Sequence, residues 1–254
     1  MTRERLIYLP LGGAGEIGMN TYVYGYGPRN RERYIVVDLG VTFPDMDGSP
    51  GVDLIMADIA WLEERKDRVD GIFITHAHED HVGGLGHLWN RLRAPVYTRD
   101  FTARIAARKM IEAGQPVDQI NTVGALPDTV ELGPFRVQFV PISHSLPEAS
   151  ALLIETPAGR VLHTGDFKLD MAPGVGEPFD EDIYKRIGDG GVQALICDST
   201  NVFSLHPGRS ESSLPGAITE LVRDAPGMVV ATTFASNVAR VRTLARSEPE
   251  LGSL

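Results

Sequence analysis

Short apolar segments separated by turn residues recur along most of the chain, and their length is that of β-strands. Residues 71–75 are β-branched and aromatic, which is typical of a buried strand. Residues 136–139 alternate apolar and polar positions, so this segment predicts a strand with one face in water. The other predicted strands are 5–11, 34–38, 151–155, 160–164 and 194–198.

Helical patterns lie between these strands. One helix face is predicted by the spacing of Leu85, Leu88, Trp89 and Leu92. Asp100 predicts an N-cap for the next helix. Helices that alternate with strands, with short connections elsewhere, predict an α/β layered protein with a mixed sheet.

The pattern changes after about residue 201, where a polar segment precedes a new βα unit. This unit is predicted to contain a helix around Ile218, a strand at 228–233 and a second helix from Ser236. We place a domain boundary near residues 205–215. One strand and two helices bury too little surface for a complete domain, so we expect that the sequence is cut short at Leu254.

Composition excludes several classes of protein. An apolar content of 43% is too high for a mainly disordered chain, and no apolar run approaches the length of a membrane span. The single cysteine, Cys197, excludes an internal disulfide framework and favours a reducing cytoplasm. The formal net charge of −10 argues weakly against nucleic acid as a partner.

A glycine motif at Gly13, Gly15 and Gly18 follows the first predicted strand and matches a dinucleotide-binding pattern, with Asp38 at a suitable distance. That fold requires a helix directly after the glycines. The residues that follow Asn20 are β-rich and then contain further glycines. The sequence therefore favours a glycine-rich turn between two paired strands.

The stretch 76–81 contains the most informative chemistry in the chain, directly after the buried strand at 71–75. Its candidate metal ligands are His76, His78, Asp80 and His81. Close-spaced side chains that leave a strand end can converge on one point, and imidazole with carboxylate suits Zn²⁺ or a similar ion. The alternative is a solvated polar loop, but three histidines and an aspartate together favour metal binding.

Two further candidates also follow predicted strands. His144 and Asp166 can therefore reach the same edge of the fold, and the two oxygens of Asp166 suit a bridge between two ions. Asp198 is a candidate hydrogen-bond acceptor for a ligand histidine. We interpret His163 and His87 as structural residues.

These residues resemble the metal-binding series of the metallo-β-lactamase superfamily. Further segments sharpen the resemblance to the ribonuclease J family, in the β-CASP branch of RNA-processing nucleases. They lie at 12–20, 43–44, 50–53, 73–81, 163–168, 198–201 and 233–237, in order along nearly the whole chain. The series at 76–81 is shared by many hydrolases, whereas the Gly-Glu-Ile-Gly run and the last two segments are more specific.

The resemblance implies an αββα sandwich, the metallo-β-lactamase domain, at residues 1–208 and the start of a β-CASP α/β domain at 209–254. It implies two zinc ions, with manganese as the alternative. One ion would be held by His76, His78 and His144. The other would be held by Asp80 and His81, with Asp166 bridging, so that Asp80, His81 and Asp166 stand at the catalytic centre.

The sequence departs from the family pattern in one respect. In the family a later histidine completes the second zinc site, whereas the only histidine after Asp166 is His206, in a loop that does not match. The resemblance also implies a structural cation such as calcium near Gly51 and Asp53, with its remaining ligand outside this sequence.

The activity implied is 5′-end-dependent exonuclease and endonuclease cleavage of RNA in processing and decay. The partner would be single-stranded RNA with a 5′-monophosphate, and the enzyme would be a cytoplasmic homo-oligomer without a membrane partner. Ala235, Ser236 and Asn237 lie at a predicted strand-to-helix turn, where backbone N–H groups favour a phosphate. The alternative for this turn is a plain N-cap serine.

Two other functions stay open at this point. A stand-alone metallo-hydrolase of small thioesters or lactones needs no second domain, and a metal-binding fragment without activity is the third hypothesis. A nuclease must hold a long anionic polymer in a basic channel. We therefore expect little or no processive ribonuclease activity from these 254 residues.

Overall fold

Two β-sheets stacked face to face form the centre of the protein, in a computed structural model that describes residues 4–45, 47–206 and 208–247. The strands are β1 Glu4–Gly12, β2 Thr21–Pro28, β3 Arg33–Val37, β4 Val41–Thr42, β5 Ile55–Met56, β6 Val69–Phe73, β7 Val96–Thr98, β8 Ile120–Thr122, β9 Val130–Leu132, β10 Phe135–Pro141, β11 Ser150–Thr156, β12 Gly159–His163 and β13 Ala194–Ile196. The helices are α1 Ala60–Glu63, α2 Glu79–Val82, α3 Leu85–Leu92, α4 Asp100–Glu112, α5 Glu181–Asp189, α6 Leu214–Arg223 and α7 Val238–Ser247. Turns of 3₁₀ helix cover Lys66–Arg68 and Glu211–Ser213.

Both sheets are mixed. The first has the strand order β1-β2-β3-β6-β7-β8, and the second has the order β13-β12-β11-β10-β9. Pairing is parallel from β3 through β6 and β7 to β8, and again between β12 and β13. The other pairs in these two sheets are antiparallel. This topology confirms the predicted α/β class.

Alternation along the strands explains the layers. In β6, Phe73 points into the core between the two sheets, whereas its neighbour Ile72 packs with the helices on the outer face. Leu88 of α3 and Met110 of α4 cover that outer face. On the far side, Ile187 of α5 covers the second sheet. The order helix, sheet, sheet, helix is the predicted αββα sandwich.

The glycine segment at residues 13–18 joins β1 to β2, which pair antiparallel with Leu9 opposite Val23. No helix lies between these two strands, all of whose residues the structure describes. The predicted turn between paired strands is therefore confirmed, and the dinucleotide interpretation is wrong.

Two local predictions are wrong. Residues 228–233 form no strand in the described chain, and Met228 and Val230 are exposed; a strand needs a neighbour to complete its hydrogen bonds, and none of the described strands pairs with this segment. Asp100 is the first residue of α4 and not its cap. The free N–H of Phe101 is instead accepted by Glu148 at 2.7 Å.

No helix within 4–45, 47–206 or 208–247 is long and apolar enough to cross a membrane. The remaining predicted strands and the helix with Leu85, Leu88, Trp89 and Leu92 are all present, with ends shifted by a few residues.

The core between the sheets gives a stability prediction. Phe139 is fully buried there, so Phe139→Ala should lower the free energy of unfolding by about 3–5 kcal/mol through lost burial and a cavity. Ile111→Ala on α4 is the control, because Ile111 is 65% exposed and should cost roughly 0.5 kcal/mol or less. Urea unfolding followed by circular dichroism measures both. Equal losses in the two variants would contradict the assignment of the core.

Candidate metal centre

The candidate ligands follow strand ends of both sheets and lie close together at one edge of the sandwich. His76 follows β6 of the first sheet, whereas His144 follows β10 and Asp166 follows β12 of the second sheet. A backbone hydrogen bond of 3.2 Å from the N–H of Ser150 to the carbonyl of Thr75 joins the two sheets beside the site. The predicted residues are therefore brought together, although they are far apart in sequence.

Three imidazoles form the first group, together with Asp166. Nδ1 of His78 lies 3.1 Å from Nε2 of His76 and 3.1 Å from Nε2 of His144. Nitrogen ligands at about 2.0 Å from a tetrahedral zinc ion are spaced by about 3.3 Å. Three ring nitrogens that converge at this spacing fit a single metal ion.

A second group consists of Asp80, His81 and Asp166. Nε2 of His81 lies 3.4 Å from Oδ2 of Asp80 and 3.2 Å from Oδ1 of Asp166. The other oxygen of Asp166, Oδ2, lies 4.0 Å from Nε2 of His76 and 3.9 Å from Nε2 of His144. Each oxygen of Asp166 thus faces one group, which is the arrangement expected of a bridging carboxylate.

Asp38 fixes the orientation of His81. It is fully buried directly after β3, and its Oδ2 accepts a hydrogen bond from Nδ1 of His81 at 2.7 Å. The N–H and the hydroxyl of Thr75 also donate to this carboxylate, at 2.8 and 2.9 Å. Because Nδ1 donates to Asp38, Nε2 of His81 is left facing Asp80 and Asp166.

The prediction for Asp198 is therefore wrong. Its carboxylate accepts the N–H of Thr200 at 2.8 Å and no described histidine, because the acceptor position beside His81 is filled by Asp38. Sequence reasoning missed Asp38, which it considered only for the dinucleotide interpretation. The available signal was a carboxylate directly after an apolar strand, parallel to the strand that leads to His76.

Burial keeps the three imidazoles of the first group neutral. It lowers the pKa of His76 well below the ordinary value, lowers that of His78, and lowers that of His144 to about 4. Burial opposes a charge on Asp166 as well, but the hydrogen bond with His81 and the neighbouring imidazoles lower the pKa of Asp166 to about 2. A metal cation requires ligand imidazoles that are neutral and a ligand carboxylate that is ionised, and these are the protonation states of this group.

His81 differs from the other histidines. Burial opposes a positive charge on it, but Asp38, with the hydrogen bonds to Asp166, Asp38 and Asp80, raises the pKa of His81 well above its ordinary value. This second group therefore attracts positive charge strongly, and a metal ion at Nε2 would take the place of a proton.

A cavity of about 460 Å³ opens over the second group. The glycine segment 13–18 forms one wall, and residues 196–200 with Phe203 form another. His163 also lines it, but its ring is buried and Nδ1 lies 2.9 Å from the hydroxyl of Tyr24. His87 is exposed on α3. The structural interpretation of both histidines stays a prediction.

The remaining candidates lie outside the two groups. Asp53 and Gly51 are exposed, and no cluster of three His, Cys, Asp or Glu side chains within the described residues includes Asp53. His206 is exposed and belongs to neither group. Ala235 and Ser236 are exposed and Asn237 is half-buried in the turn before α7, where Oδ1 of Asn237 accepts the N–H of Arg240 at 3.0 Å. The cap of this helix is thus Asn237 and not Ser236.

Comparison with known proteins gives a consistent family. Residues 15–214 match the Metallo-beta-lactamase superfamily. The chain is 45% identical over 250 residues to a protein named ribonuclease J from Sinorhizobium meliloti, covering 98% of this chain and 44% of that protein. It is 40% identical over 245 residues to a ribonuclease J from Mycolicibacterium smegmatis, covering 95% of this chain and 42% of that protein.

A solved structure of a protein of unknown function from Enterococcus faecalis shares the fold. Its TM-score is 0.60 at 18% identity, and the match covers 95% of this chain and 63% of that one. The chain spans less than half the length of the two ribonuclease J relatives described above.

The two groups differ in donors, which predicts unequal metal retention. The first offers three imidazoles and the second only one, so Asp80→Ala with His81→Ala should remove less zinc than His76→Ala with His78→Ala. Elemental analysis after gel filtration measures the zinc content, and His87→Ala is the control that should keep the wild-type content. Equal loss from the two double variants would contradict the division into two groups.

The buried ring of His163 predicts a pH dependence of stability. Burial lowers its pKa from 6.5 to about 3, so below pH 6.5 the unfolded chain binds a proton that the folded chain does not. Stability contributed by the neutral ring is complete above pH 6.5 and declines as the pH falls towards 3. His163→Gln has no imidazole and therefore lacks this contribution to stability.

The stability advantage of the wild type over His163→Gln should therefore shrink by roughly 2–3 kcal/mol between pH 7 and pH 4.5. Urea unfolding in the presence of a chelator measures it, and Ile111→Ala provides a variant whose difference from the wild type should stay constant. A constant advantage for His163 over this range would contradict the prediction.

Proposed function

This chain belongs to the metallo-beta-lactamase superfamily, and on that premise we propose that it carries the metal centre of a hydrolytic ribonuclease. The observation that carries the proposal is Asp166, whose two oxygens face two separate groups of ligands. Such a binuclear donor set suits the displacement at a phosphodiester, in which both the attacking and the leaving oxygen need stabilisation. The relatives named ribonuclease J support RNA as the polymer.

The proposal assigns residues 1–208 to the metallo-β-lactamase domain and 209–254 to the beginning of a β-CASP domain. The substrate would be single-stranded RNA with a 5′-monophosphate, cleaved from the 5′ end and also internally. Cytoplasmic location, a homo-oligomeric assembly and a role in RNA processing and decay belong to the same proposal. They describe a protein of the relatives' length, of which this chain spans 44% in the S. meliloti case.

The ligand roles follow from the two groups. His76, His78 and His144 would hold one ion, and Asp80 and His81 the other, with Asp166 between them. When bound, two zinc ions would supply Lewis-acid polarisation of the phosphodiester and a water of near-neutral pKa. Zinc is proposed from the histidine-rich donors, and manganese is the alternative.

The chain's own residues orient these ligands. Asp38 holds the ring of His81 through Nδ1. The hydroxyl of Thr75 lies 3.0 Å from Nδ1 of His76, so this ring too is held on the side away from the cluster. The cavity beside Asp80, His81 and Asp166 is the space where the scissile phosphate would lie.

Charge does not oppose the proposal. The carboxylates of the site contribute to the net charge of −10, and a bound cation reverses the local sign that an anionic substrate meets. We also propose that the turn Ala235, Ser236 and Asn237 contacts a phosphate, and that Gly51 and Asp53 contribute to a structural calcium site.

Substrate assays test the proposed reaction. The zinc- or manganese-loaded chain should cleave bis(p-nitrophenyl) phosphate faster than its His76→Ala, His78→Ala double variant, because that variant loses two of the six proposed ligands. His87→Ala, on an exposed face of α3, is the matched control and should keep the wild-type rate. A 5′-monophosphorylated RNA labelled at its 3′ end, and a thioester and a lactone, are assayed in parallel.

Phosphodiester cleavage that depends on the metal and on these histidines would support the proposal. Hydrolysis of the thioester or lactone without any phosphodiester cleavage would contradict it and favour the small-molecule hydrolase. Stoichiometric metal without turnover of any of these substrates would favour the third hypothesis, a metal-binding fragment.

A further inference from the structure

The glycine segment between β1 and β2 leads directly to the second ligand group. After Gly18 and Met19, both with positive φ (93° and 41°), the chain reaches Asn20, which is buried. The N–H of Asn20 donates to the carbonyl of Asp80 at 3.0 Å, and its own carbonyl accepts the N–H of Gly40 at 2.9 Å. The backbone of Asn20 is therefore fixed against the residue that carries the Asp80 carboxylate.

The side chain of Asn20 reaches both members of the Asp80–His81 pair. Its Nδ2 donates to Oδ2 of Asp80 at 3.2 Å and lies 3.1 Å from Nε2 of His81. Its Oδ1 accepts the hydroxyl of Tyr22 at 2.8 Å. An ionised carboxylate only accepts hydrogen bonds, so the NH₂ end must face Asp80 and the oxygen must face the hydroxyl. The carboxylate of Asp80 thus fixes which way the amide points, and the hydroxyl of Tyr22 holds the opposite end of the amide in place.

Two glycines leave space for this arrangement. A Cβ on Gly13 would collide with Oδ1 of Asn20 and lie 2.5 Å from the hydroxyl oxygen of Tyr22. A Cβ on Gly40 would overlap the carbonyl oxygen of Asp80. The first glycine of the motif is therefore explained by the Asn20–Tyr22 hydrogen bond rather than by a nucleotide.

We propose that Asn20, held in place by Tyr22, is a positioning residue for the second ligand group of the metal centre. The proposal rests on the proposed function, since it concerns ligands of that centre. Asn20 holds one oxygen of Asp80 through a charge-assisted hydrogen bond, which limits rotation of a side chain that is partly exposed. It makes no side-chain hydrogen bond to His76, His78 or His144 in the described structure.

The amide has two opposing effects on a metal ion at this group. Its hydrogen bond to Asp80 pre-orients a ligand, whereas its approach to Nε2 of His81 competes for the nitrogen that would bind the metal. The bond to the carboxylate is charge-assisted and about twice as strong as a neutral one. The positioning effect therefore outweighs the competition, and removal of Asn20 should weaken metal binding at this group alone.

The test is a zinc titration of the chelator-stripped chain in competition with a chromophoric chelator, repeated with Co²⁺ to record the visible absorption of each equivalent. In Asn20→Ala the affinity for the second equivalent should fall by about tenfold or more, which is the usual effect of removing a partner that orients a ligand. Tyr22→Phe should lower it in the same direction and to a smaller extent. The first equivalent should keep its affinity in both variants.

Tyr24→Phe is the matched control. It makes the same chemical change on the same strand, and its lost hydroxyl bonds to His163 instead of Asn20. Both equivalents should bind to this variant with wild-type affinity. Tyr22→Phe and Tyr24→Phe thus separate the positioning effect from the loss of one buried hydroxyl.

Wild-type affinity for both equivalents in Asn20→Ala and Tyr22→Phe would overturn the inference and leave the metal centre in place. So would an equal weakening of both equivalents, which indicates a purely structural role. If Asn20→Ala does not fold, Tyr22→Phe decides alone. A wild-type chain that binds no zinc would instead overturn the metal centre, and this inference with it.

Discussion

The hydrogen bond between Asp38 and Nδ1 of His81 is the contact on which the geometry of the site depends. A carboxylate without solvent exposure is stable only when its oxygens are paired, and here Thr75 and His81 supply the partners. The same carboxylate thus joins the end of β3, the end of β6 and the short helix α2. Because these three elements share one buried acceptor, the ring of His81 has one available orientation, with Nε2 towards Asp80 and Asp166.

The stacking of the two sheets supplies the rest of the site. His76 and His78 follow a strand of the first sheet, whereas His144 and Asp166 follow strands of the second, so neither sheet supplies a complete ligand group. The core that holds the sheets together, with Phe73 against Phe139 at a centroid distance of 6.1 Å, also sets the distance between the ligands. The backbone hydrogen bond between Ser150 and Thr75 joins the two sheets at the edge where the ligands lie.

Burial and charge act together at this edge. The low dielectric environment that keeps His76 and His144 neutral also strengthens the attraction between Asp166 and any cation beside it. The acidic second group and the imidazole-rich first group therefore offer different donors on the two sides of the Asp166 carboxylate. The glycine segment contributes a further element, since it brings the backbone and the amide of Asn20 against the acidic group.

The sequence by itself determined the fold class and most of the strands, and it indicated all six proposed metal ligands. Strand alternation and the close spacing of His76, His78, Asp80 and His81 are local signals, and His144 and Asp166 each follow a predicted strand. It also indicated that the glycine motif is a turn between paired strands.

Only the tertiary structure decided what the buried polar partners do. Asp38 and Asn20 act across 43 and 60 residues of sequence, and no local pattern records such a contact. For the same reason Asp198 was assigned wrongly, since two aspartates after strands look alike until packing shows which one faces His81. The segment 228–233 has the composition of a strand, but a strand forms only against a neighbour, and the neighbour is a property of the fold.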